Sequence, residues 1–286
     1  MKVGFIGLGI MGSSMAQNLM NAGFDLVVYD VVASKCDPLA AKGAKVAPSC
    51  AEVARLSDVI ISIVVDTPDV EAVLFGPDGV AEGLSPGKVV VDMTTISPEA
   101  TEEFAKRLSE KGVDMLDAPV SGGDKGAREA TLAIMVGGKK AVFERCLALF
   151  EAMGKNIVHV GSHGDGQRVK TANQIVCGLN ILAMTEAFVF AKKAGLDLKT
   201  VHKVISSGAA GSWMLTNLGP KILEGDYSPG FKIKLQSKDL RIAWESLQAL
   251  GVPLEGTQLT NRLFREAVEK GFGELGTQGL IKVFDA

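Results

Sequence analysis

A chain of 286 residues is long enough to bury the cores of two domains. Its composition, 47% hydrophobic and 22% charged with a net charge of -3, is that of a soluble enzyme and excludes a general attraction to nucleic acid or anionic lipid. The apolar run at the N-terminus is far too short for a signal peptide, and we expect no later stretch long enough to span a bilayer.

Short apolar runs alternate with helical patterns through the first half of the chain. Such near-continuous apolar runs, separated by helices, are typical of strands buried on both faces of a parallel sheet. Ser97-Pro98 has the form of a helix start, with Ser as the N-cap. We predict strands at Lys2–Ile6, 26–29, 59–64 and 88–92, and a first helix at 11–22.

Beyond about Gly161 the strand patterns disappear and the chain becomes helical. A mostly apolar pattern runs from 166 to 194 without a break, and we expect it to form one long, largely buried helix. Further helices are expected at 200–206, 214–223, 235–250 and 259–269.

This change of pattern divides the chain into two domains. Strands alternating with helices predict an α/β domain of the Rossmann type at residues 1–162, and helices alone predict an all-α domain at 163–286. We expect the first domain to bind a dinucleotide and the second to serve substrate binding and dimerisation.

The segment from Gly7 to Gly12 reads Gly-x-Gly-x-x-Gly and lies directly between the first predicted strand and the first predicted helix. Gly7 allows a tight turn, Gly9 lets the backbone approach a pyrophosphate, and Gly12 lets the helix pack close to the strand. The second predicted strand ends at Asp30, whose carboxylate can accept hydrogen bonds from the adenosine ribose hydroxyls. The predicted dinucleotide site comprises Gly7, Leu8, Gly9, Ile10, Met11, Gly12 and Asp30.

Asp30 also bears on the choice of cofactor, because a carboxylate repels the 2′-phosphate of NADP. An NADP enzyme usually supplies an arginine just after this position, whereas Val31 and Val32 follow here and the nearest cation is Lys35. The sequence therefore favours NAD and leaves NADP open.

Three further segments resemble those of the 3-hydroxyacid dehydrogenase family, the relatives of 3-hydroxyisobutyrate dehydrogenase. Residues 117–123 (DAPVSGG) are similar to its substrate loop, 164–174 (GDGQRVKTANQ) to its catalytic helix, and 231–240 (FKIKLQSKDL) to its C-terminal substrate and cofactor segment. With 4–9 and 92–95, the resemblance covers essentially the whole chain. It implies a fold like that of 6-phosphogluconate dehydrogenase, and hydride transfer between NAD(P) and a small 3-hydroxy acid or its semialdehyde.

Within the family, the Lys-x-Ala-Asn-Gln form of the catalytic helix, with residues 208–212 (GAAGS) downstream, is most similar to the tartronate semialdehyde reductases. The alternatives are 3-hydroxyisobutyrate dehydrogenase, glyoxylate/succinic semialdehyde reductase and sulfolactaldehyde reductase. Many members have Asn where this chain has Gln174, which leaves open whether Asn173 or Gln174 holds the substrate oxygen.

Reduction of an aldehyde puts negative charge on the carbonyl oxygen, so a proton donor is needed beside it. Lys170 is our candidate, because apolar surroundings should lower its pKa towards neutrality. Asn173 and Gln174 lie three and four positions further on, on the same helix face, where their amides can fix the ammonium group or the substrate oxygen. We predict that Lys170 is catalytic.

Ser121, Gly122 and Gly123 offer a hydroxyl and two sterically open N–H groups, a combination suited to binding a carboxylate. Thr95 lies just past a predicted strand end, where ligands collect in open parallel sheets. The resemblance places Thr95 beside the nicotinamide and the substrate.

The resemblance assigns further residues to the same cleft. It places Lys238 at the cofactor end, gives Asp239 a part in closing the cleft, and makes Phe231 an apolar wall over the substrate. We also expect Val64 and Val65 to contact the cofactor. They lie at the end of the predicted strand 59–64 and just after it.

Two other functions fit this plan less well. A 6-phosphogluconate-type oxidative decarboxylase shares the two-domain layout, but this chain is much shorter and shows no cluster of basic residues for a sugar phosphate. A dinucleotide-binding sensor or scaffold without turnover is disfavoured by Lys170, Ser121 and the paired glycines. The three histidines lie in no motif that suggests a catalytic acid, and we expect surface or packing roles for His159, His163 and His202.

The remaining expectations concern partners and location. The stretch 175–183 of the long helix is so apolar that we expect a second subunit to cover it, giving a homodimer or homotetramer. We expect a small carboxylate-bearing aldehyde or hydroxy acid as ligand, and neither nucleic acid nor membrane as partner. The four cysteines are widely spaced, with no Cys-x-x-Cys pair and no suitably placed histidine, and they are Cys36, Cys50, Cys146 and Cys177. This pattern predicts a protein without a metal site. Unpaired cysteines also favour the reducing cytoplasm.

Overall fold

The computed structural model describes residues 1–284, and its contacts divide the chain into two compact units. The first unit runs from Met1 to Lys170 and the second begins at Thr171. The predicted domain limits, 1–162 and 163–286, place the division before the long helix, and the last two residues of that range lie outside the described part. Those limits stay a prediction.

The first unit alternates strands and helices, as the apolar runs predict. The predicted strands and first helix all form, with ends that differ from the prediction by no more than two residues. In chain order the elements are β1 (Lys2–Ile6), α1 (Ile10–Asn21), β2 (Asp25–Tyr29), α2 (Asp37–Ala40), β3 (Lys45–Val46), α3 (Cys50–Leu56), β4 (Val59–Ser62), α4 (Thr67–Phe75), α5 (Val80–Gly83), β5 (Val89–Asp92), α6 (Pro98–Ser109), β6 (Asp114–Asp117), β7 (Val120–Ser121), α7 (Gly123–Arg128), β8 (Leu132–Gly138), α8 (Lys140–Met153) and β9 (Gly154–Gly161).

The strands join one sheet in the order β3-β2-β1-β4-β5-β6-β8-β7, with β9 paired to β8. From β3 to β6 the strands are parallel, but β8 runs antiparallel to both β6 and β7. The four predicted strands, β1, β2, β4 and β5, are parallel as expected, whereas the antiparallel β8 was not predicted. An apolar run indicates that a strand is buried. The direction of the strand depends instead on how the chain returns to the sheet.

Alternate residues of the central strands enter the cores on opposite faces of the sheet. On β4, Val59 and Ile61 belong to one core cluster and Ile60 to the other. The strand order reverses beside β1, which lies between β2 and β4. In open α/β sheets ligands bind outside the carboxyl ends of the strands at such a reversal, so the segment that follows β1 is positioned for binding.

The second unit is helical, as predicted. Its core includes Ile181, Leu240 and Phe264, which are buried against one another. Its elements are α9 (Asp165–Lys193), which begins in the first unit, α10 (Leu198–Ser207), α11 (Trp213–Glu224), α12 (Ile233–Ala249) and α13 (Glu255–Ala267), followed by a π-helical turn at Val268–Phe272 and a 3₁₀ segment at Thr277–Val283.

Two expectations that concern α9 are wrong. It is 29 residues long and apolar enough to cross a membrane by length and composition alone, so the expectation that no stretch is long enough was wrong. Only 44% of its most apolar window is buried, and Val176 and Phe190 are 57% and 71% exposed, so the helix is not largely buried within one chain. Core helices of globular proteins pass the same length test, and Met184 and Phe188 of α9 lie in the core of the second unit.

Candidate active site

The turn between β1 and α1 excludes side chains at two of its three glycines. Gly7 has φ +95°, and a Cβ built on it would lie 2.1 Å from the carbonyl oxygen of Ile63. A Cβ on Gly12 would lie 1.9 Å from the carbonyl oxygen of Gly7. Gly7 thus makes the turn, and Gly12 lets the first turn of α1 contact the backbone of that turn.

At Gly9, by contrast, no contact within the protein excludes a side chain. A Cβ on Gly9 would meet nothing within 4 Å. Gly9 is the N-cap of α1, its cap carries no side-chain hydrogen bond, and the first turn of the helix holds no acidic residue. The first N–H groups of a helix point out of its end, where they bind an anion such as a pyrophosphate. The open space at Gly9 therefore fits a dinucleotide.

Asp30 lies just beyond the end of β2 and is 8% exposed. Its carboxylate accepts hydrogen bonds from the backbone N–H of Leu8 at 2.7 Å and of Val32 at 2.8 Å, and lies 3.3 Å from the ammonium of Lys35. Burial alone would raise the pKa of Asp30, but the two amides and Lys35 outweigh it and hold the pKa below its ordinary value. Asp30 is thus a carboxylate at neutral pH and ties the Leu8 turn to the end of β2.

Two further segments follow the ends of β4 and β5. The N–H of Val64 donates to the hydroxyl of Thr94 at 3.0 Å, which joins the two segments directly. Val65 is 54% exposed and Thr95 is half-buried. Both segments leave the carboxyl edge of the sheet, the first from β4 beside β1 and the second from β5 beyond it, where ligands of open α/β sheets bind.

Lys170 is 6% exposed, and its Nζ donates to the carbonyl oxygen of Val120 at 2.8 Å. Val120 and Ser121 form β7, and Gly122 and Gly123 follow with φ values of +137° and +63°. The structure therefore brings a buried ammonium and the open amides of a glycine pair to one short strand of the first unit. This arrangement can hold an anionic group beside a proton donor.

In the second unit the polar residues among those predicted for the site belong to one cluster. The Nε2 of Gln174 donates to Asp239 Oδ2 at 2.5 Å and to Gln236 Oε1 at 3.3 Å, and its Oε1 accepts from Asn173 Nδ2 at 2.8 Å. Lys238 Nζ lies 2.8 Å from Asp239 Oδ1. Gln236 was not predicted, although it lies one helical turn before Asp239. Its three-residue spacing from that residue was the available signal.

Phe231, the remaining predicted residue, is half-buried two residues before α12 begins. Its carbonyl oxygen accepts a hydrogen bond from the N–H of Thr277 at 3.0 Å, which fixes the approach to that helix.

Comparison with known proteins decides the family. The profile described as the NAD binding domain of 6-phosphogluconate dehydrogenase matches residues 2–161, and that described as NAD-binding of NADP-dependent 3-hydroxyisobutyrate dehydrogenase matches 164–284. The chain is 46% identical to the 2-hydroxy-3-oxopropionate reductase of Escherichia coli (strain K12) over 285 residues, 100% of this chain and 97% of that protein. It is 36% identical to the NAD-dependent L-serine dehydrogenase of Pseudomonas aeruginosa, over 99% and 98% of the two chains.

A solved structure agrees along the whole chain. The 3-hydroxyisobutyrate dehydrogenase of Salmonella typhimurium superposes with a TM-score of 0.91 at 33% identity, covering 99% of both chains. The chain belongs to the 3-hydroxyacid dehydrogenase family. It is an NAD(P)-dependent oxidoreductase of that family, with the fold of a Rossmann-type domain followed by a helical domain, as the motifs predicted.

Two further carboxylates of this protein are buried, which the sequence did not predict. Asp92 and Asp117 are cross-strand partners at the ends of β5 and β6, and both are fully buried. Asp92 Oδ1 accepts from the hydroxyls of Ser62 at 2.9 Å and Thr94 at 2.7 Å. Burial raises the pKa of Asp92 to about 7, against these hydrogen bonds, and the charge of Asp117 adds to the rise. Burial also raises the pKa of Asp117, while the amides of Gly164 and Gln167 oppose the rise.

Asp92 makes the stability of the protein depend on pH. Because its folded-state pKa of about 7 lies above the usual value of 3.8, the folded state keeps a proton that the unfolded state loses between these values. The contribution of Asp92 to the free energy of unfolding should therefore fall as pH rises from 4 to 7. The fall is at most about 1.4 kcal/mol per pH unit. Urea denaturation of the protein and of the Asp92→Asn variant should show the variant gaining relative stability over this range. A difference that is constant with pH would contradict the assignment.

Each of the three histidines donates a hydrogen bond from Nε2 to a backbone carbonyl oxygen. The distances to oxygen are 2.8 Å for His159 and Gly138, 3.0 Å for His163 and Met115, and 2.9 Å for His202 and Leu215. These contacts agree with the packing roles expected from the sequence. Within residues 1–284 no group of three or more His, Cys, Asp or Glu side chains could hold a metal ion.

Proposed function

We propose that this protein interconverts a small carboxylate-bearing semialdehyde and its 3-hydroxy acid, with 2-hydroxy-3-oxopropionate (tartronate semialdehyde) as the preferred substrate. The observation that carries the proposal is the buried Lys170, whose Nζ lies 2.8 Å from the carbonyl oxygen of Val120, next to Ser121. This chemistry needs a proton donor beside a carboxylate-binding loop, and Lys170 of α9 contacts the short strand that leads into such a loop.

Lys170 is the proton donor in reduction and the base in oxidation. The bound nicotinamide supplies or accepts the hydride. As the aldehyde carbon gains the hydride, the electron pair of the carbonyl π bond moves to oxygen, which takes a proton from the Lys170 ammonium. In oxidation the neutral amine removes the hydroxyl proton. Because Lys170 is 6% exposed, bulk water cannot easily replace it as the donor.

The loop after β7 holds the substrate carboxylate. The Ser121 hydroxyl and the N–H groups of Gly122 and Gly123 are suitable donors, since a carboxylate accepts several hydrogen bonds at once. Thr95 would contact the nicotinamide, and Val64 and Val65 would contact the cofactor as well. In the second unit, either Asn173 or Gln174 would hold the substrate oxygen, Phe231 and Asp239 would contribute to the substrate site, and Lys238 would serve the cofactor.

The identity of 46% to a 2-hydroxy-3-oxopropionate reductase supports this choice of substrate. The test is a spectrophotometric assay at 340 nm with NADH or NADPH and a panel of semialdehydes. We expect the largest kcat/KM for 2-hydroxy-3-oxopropionate, above methylmalonate, succinate and sulfonated semialdehydes. A preference of more than tenfold for another member of the panel would change the substrate, and no turnover with any of them would refute the activity.

NAD(H) is the better cofactor in our proposal, with NADP(H) accepted less well. Asp30 is buried and ionised, and its charge opposes a 2′-phosphate, although Lys35 at 3.3 Å offsets part of that charge. Changing Asp30 to Asn together with Val31 to Arg should move the preference towards NADP(H). Steady-state kinetics of the unchanged protein that favour NADPH by more than about tenfold, roughly 1.4 kcal/mol, would contradict the proposal.

Assembly and location follow from α9 and the cysteines. We expect a homodimer or homotetramer, because Val176 and Phe190 of α9 are exposed in the single chain and a second copy would bury them. Light scattering at micromolar concentration should give a mass of two or four chains, and a monomer would contradict this. The four cysteines, all within residues 1–284, form no disulfide with one another, which supports a cytoplasmic location.

A further inference from the structure

The side chain of Gln167, in the first turn of α9, is paired with the segment that carries Thr95. Gln167 is fully buried. Its Nε2 donates to the carbonyl oxygen of Thr94 at 2.7 Å, and its Oε1 accepts from the N–H of Ile96 at 3.2 Å. These two backbone groups flank Thr95, so the amide holds this segment at two points, as a neighbouring β-strand would.

The start of α9 is itself anchored to the end of β6 and packs against β8. Asp117 accepts hydrogen bonds from the N–H of Gly164 at 3.0 Å and of Gln167 at 3.1 Å. A carboxylate at a helix N-terminus satisfies N–H groups that lack helical partners and interacts favourably with the helix dipole. A Cβ on Gly166 would lie 2.7 Å from Asp117 Oδ2 and 2.6 Å from the carbonyl oxygen of Met135, so the helix start contacts both β6 and β8 closely.

Lys170 follows Gln167 by three positions, which places it on the next turn of the same helix. Its Nζ contacts Val120, the neighbour of Ser121. One helical turn of the first unit therefore connects the backbone around Thr95, through Gln167, to the proton donor and the strand of the carboxylate loop.

We propose that Gln167 is a positioning residue, which sets the placement of Thr95 relative to Lys170. The proposal rests on the proposed function, because it takes Lys170 as the proton donor. Loss of the Gln167 amide should lower turnover without weakening cofactor binding, since displacement of reacting groups by about 1 Å can cost about a hundredfold in rate.

The first test is Gln167→Met, which keeps the length of the side chain and removes both hydrogen bonds. Its turnover should fall about 10- to 100-fold, while the Kd for NADH by fluorescence should stay within about threefold. Arg168→Met is the matched control on the same turn, because Arg168 is exposed and bonded only to surface carboxylates of Glu102 and Asp165 among the described contacts. Equal losses in the two variants would refute the proposal.

The second test is Gln167→Glu, which offers rescue by protonation. A neutral carboxylic acid can still donate to Thr94 O and accept from the Ile96 N–H, whereas an ionised carboxylate cannot donate. The ionisable groups connected to this position are Asp117, which accepts from the Gln167 N–H, and Asp92, which accepts from the Thr94 N–H. Asp165, Arg168 and Lys170 lie on the same turns of α9, Glu102 pairs with Arg168, and His163 acts on Asp117. The ratio of variant to wild-type turnover should rise at least fivefold from pH 9 to pH 6 for Gln167→Glu and stay flat for Gln167→Met. A flat ratio in both would overturn the proposal.

A double-mutant cycle tests whether Gln167 acts through Lys170. In the Lys170→Ala background, Gln167→Met should lower the remaining turnover by less than about threefold, because the group being positioned is gone. Additive losses would mean that Gln167 acts elsewhere.

Hydrogen exchange gives a readout that needs no substrate. Gln167→Met should speed exchange in segments 93–97 and 164–170 and leave α7 unchanged; unchanged exchange in both segments would refute the pairing. If the wild type turns over none of the semialdehydes, the proposed function fails, and this measurement still decides the structural role of Gln167.

Discussion

Replacing Lys170 by Ala is expected to reduce turnover by at least 100-fold, and by up to about 10,000-fold, in both directions of the reaction. The ammonium is buried and held at 2.8 Å from the carbonyl oxygen of Val120, so no solvent group replaces it readily. NADH binding, measured by fluorescence titration, should change little, because the pyrophosphate site is built from Gly7 to Gly12. Lys170→Arg should not restore activity, since a guanidinium stays protonated and cannot serve as a base.

Two variants serve as controls for this prediction. Lys193→Ala removes an exposed lysine of the same helix and should leave turnover unchanged. Ser121→Ala should raise KM more than it lowers kcat, if its hydroxyl holds the carboxylate in both the ground and the transition state. A Lys170→Ala protein that keeps more than about a tenth of normal turnover would show that the proton comes from another group.

The glycine turn allows a second large effect to be separated from misfolding. Gly9→Ala should weaken NADH binding at least tenfold, about 1.4 kcal/mol, because its Cβ would occupy the open space that the pyrophosphate needs. Its Tm should be unchanged or slightly raised, since φ is −69° and no protein atom lies within 4 Å of the added carbon.

Gly12→Ala should instead lose both cofactor binding and stability. Its Cβ would lie 1.9 Å from the carbonyl oxygen of Gly7, so the helix must move away from the turn, at a cost of about 1–3 kcal/mol or more. Thermal unfolding and fluorescence titration of the two variants side by side distinguish these outcomes. If Gly9→Ala binds NADH normally, the dinucleotide does not approach the backbone at Gly9.

The features that the sequence predicts well are those whose cause is local. The glycine motif lies between β1 and α1, and its meaning depends only on the strand before it and the helix after it. Burial on both faces makes β4 and β5 continuous apolar runs, and α9 has a helical period over most of its length. Short segments also carry Lys170, Ser121 and the glycine pair, so the family resemblance could assign them roles, which stay predictions.

The tertiary structure alone decided which polar side chains are buried together. Asp92, Asp117 and Gln167 stand 75 positions apart from first to last, yet their hydrogen bonds meet at the ends of β5 and β6. The sequence around an Asp at a strand end does not show whether its side chain is solvated or fully buried, because burial depends on the distant segments that pack over it. The pKa of about 7 for Asp92, the antiparallel strand β8 and the pairing of Gln167 with the Thr95 segment all arise from such contacts between segments distant in the chain.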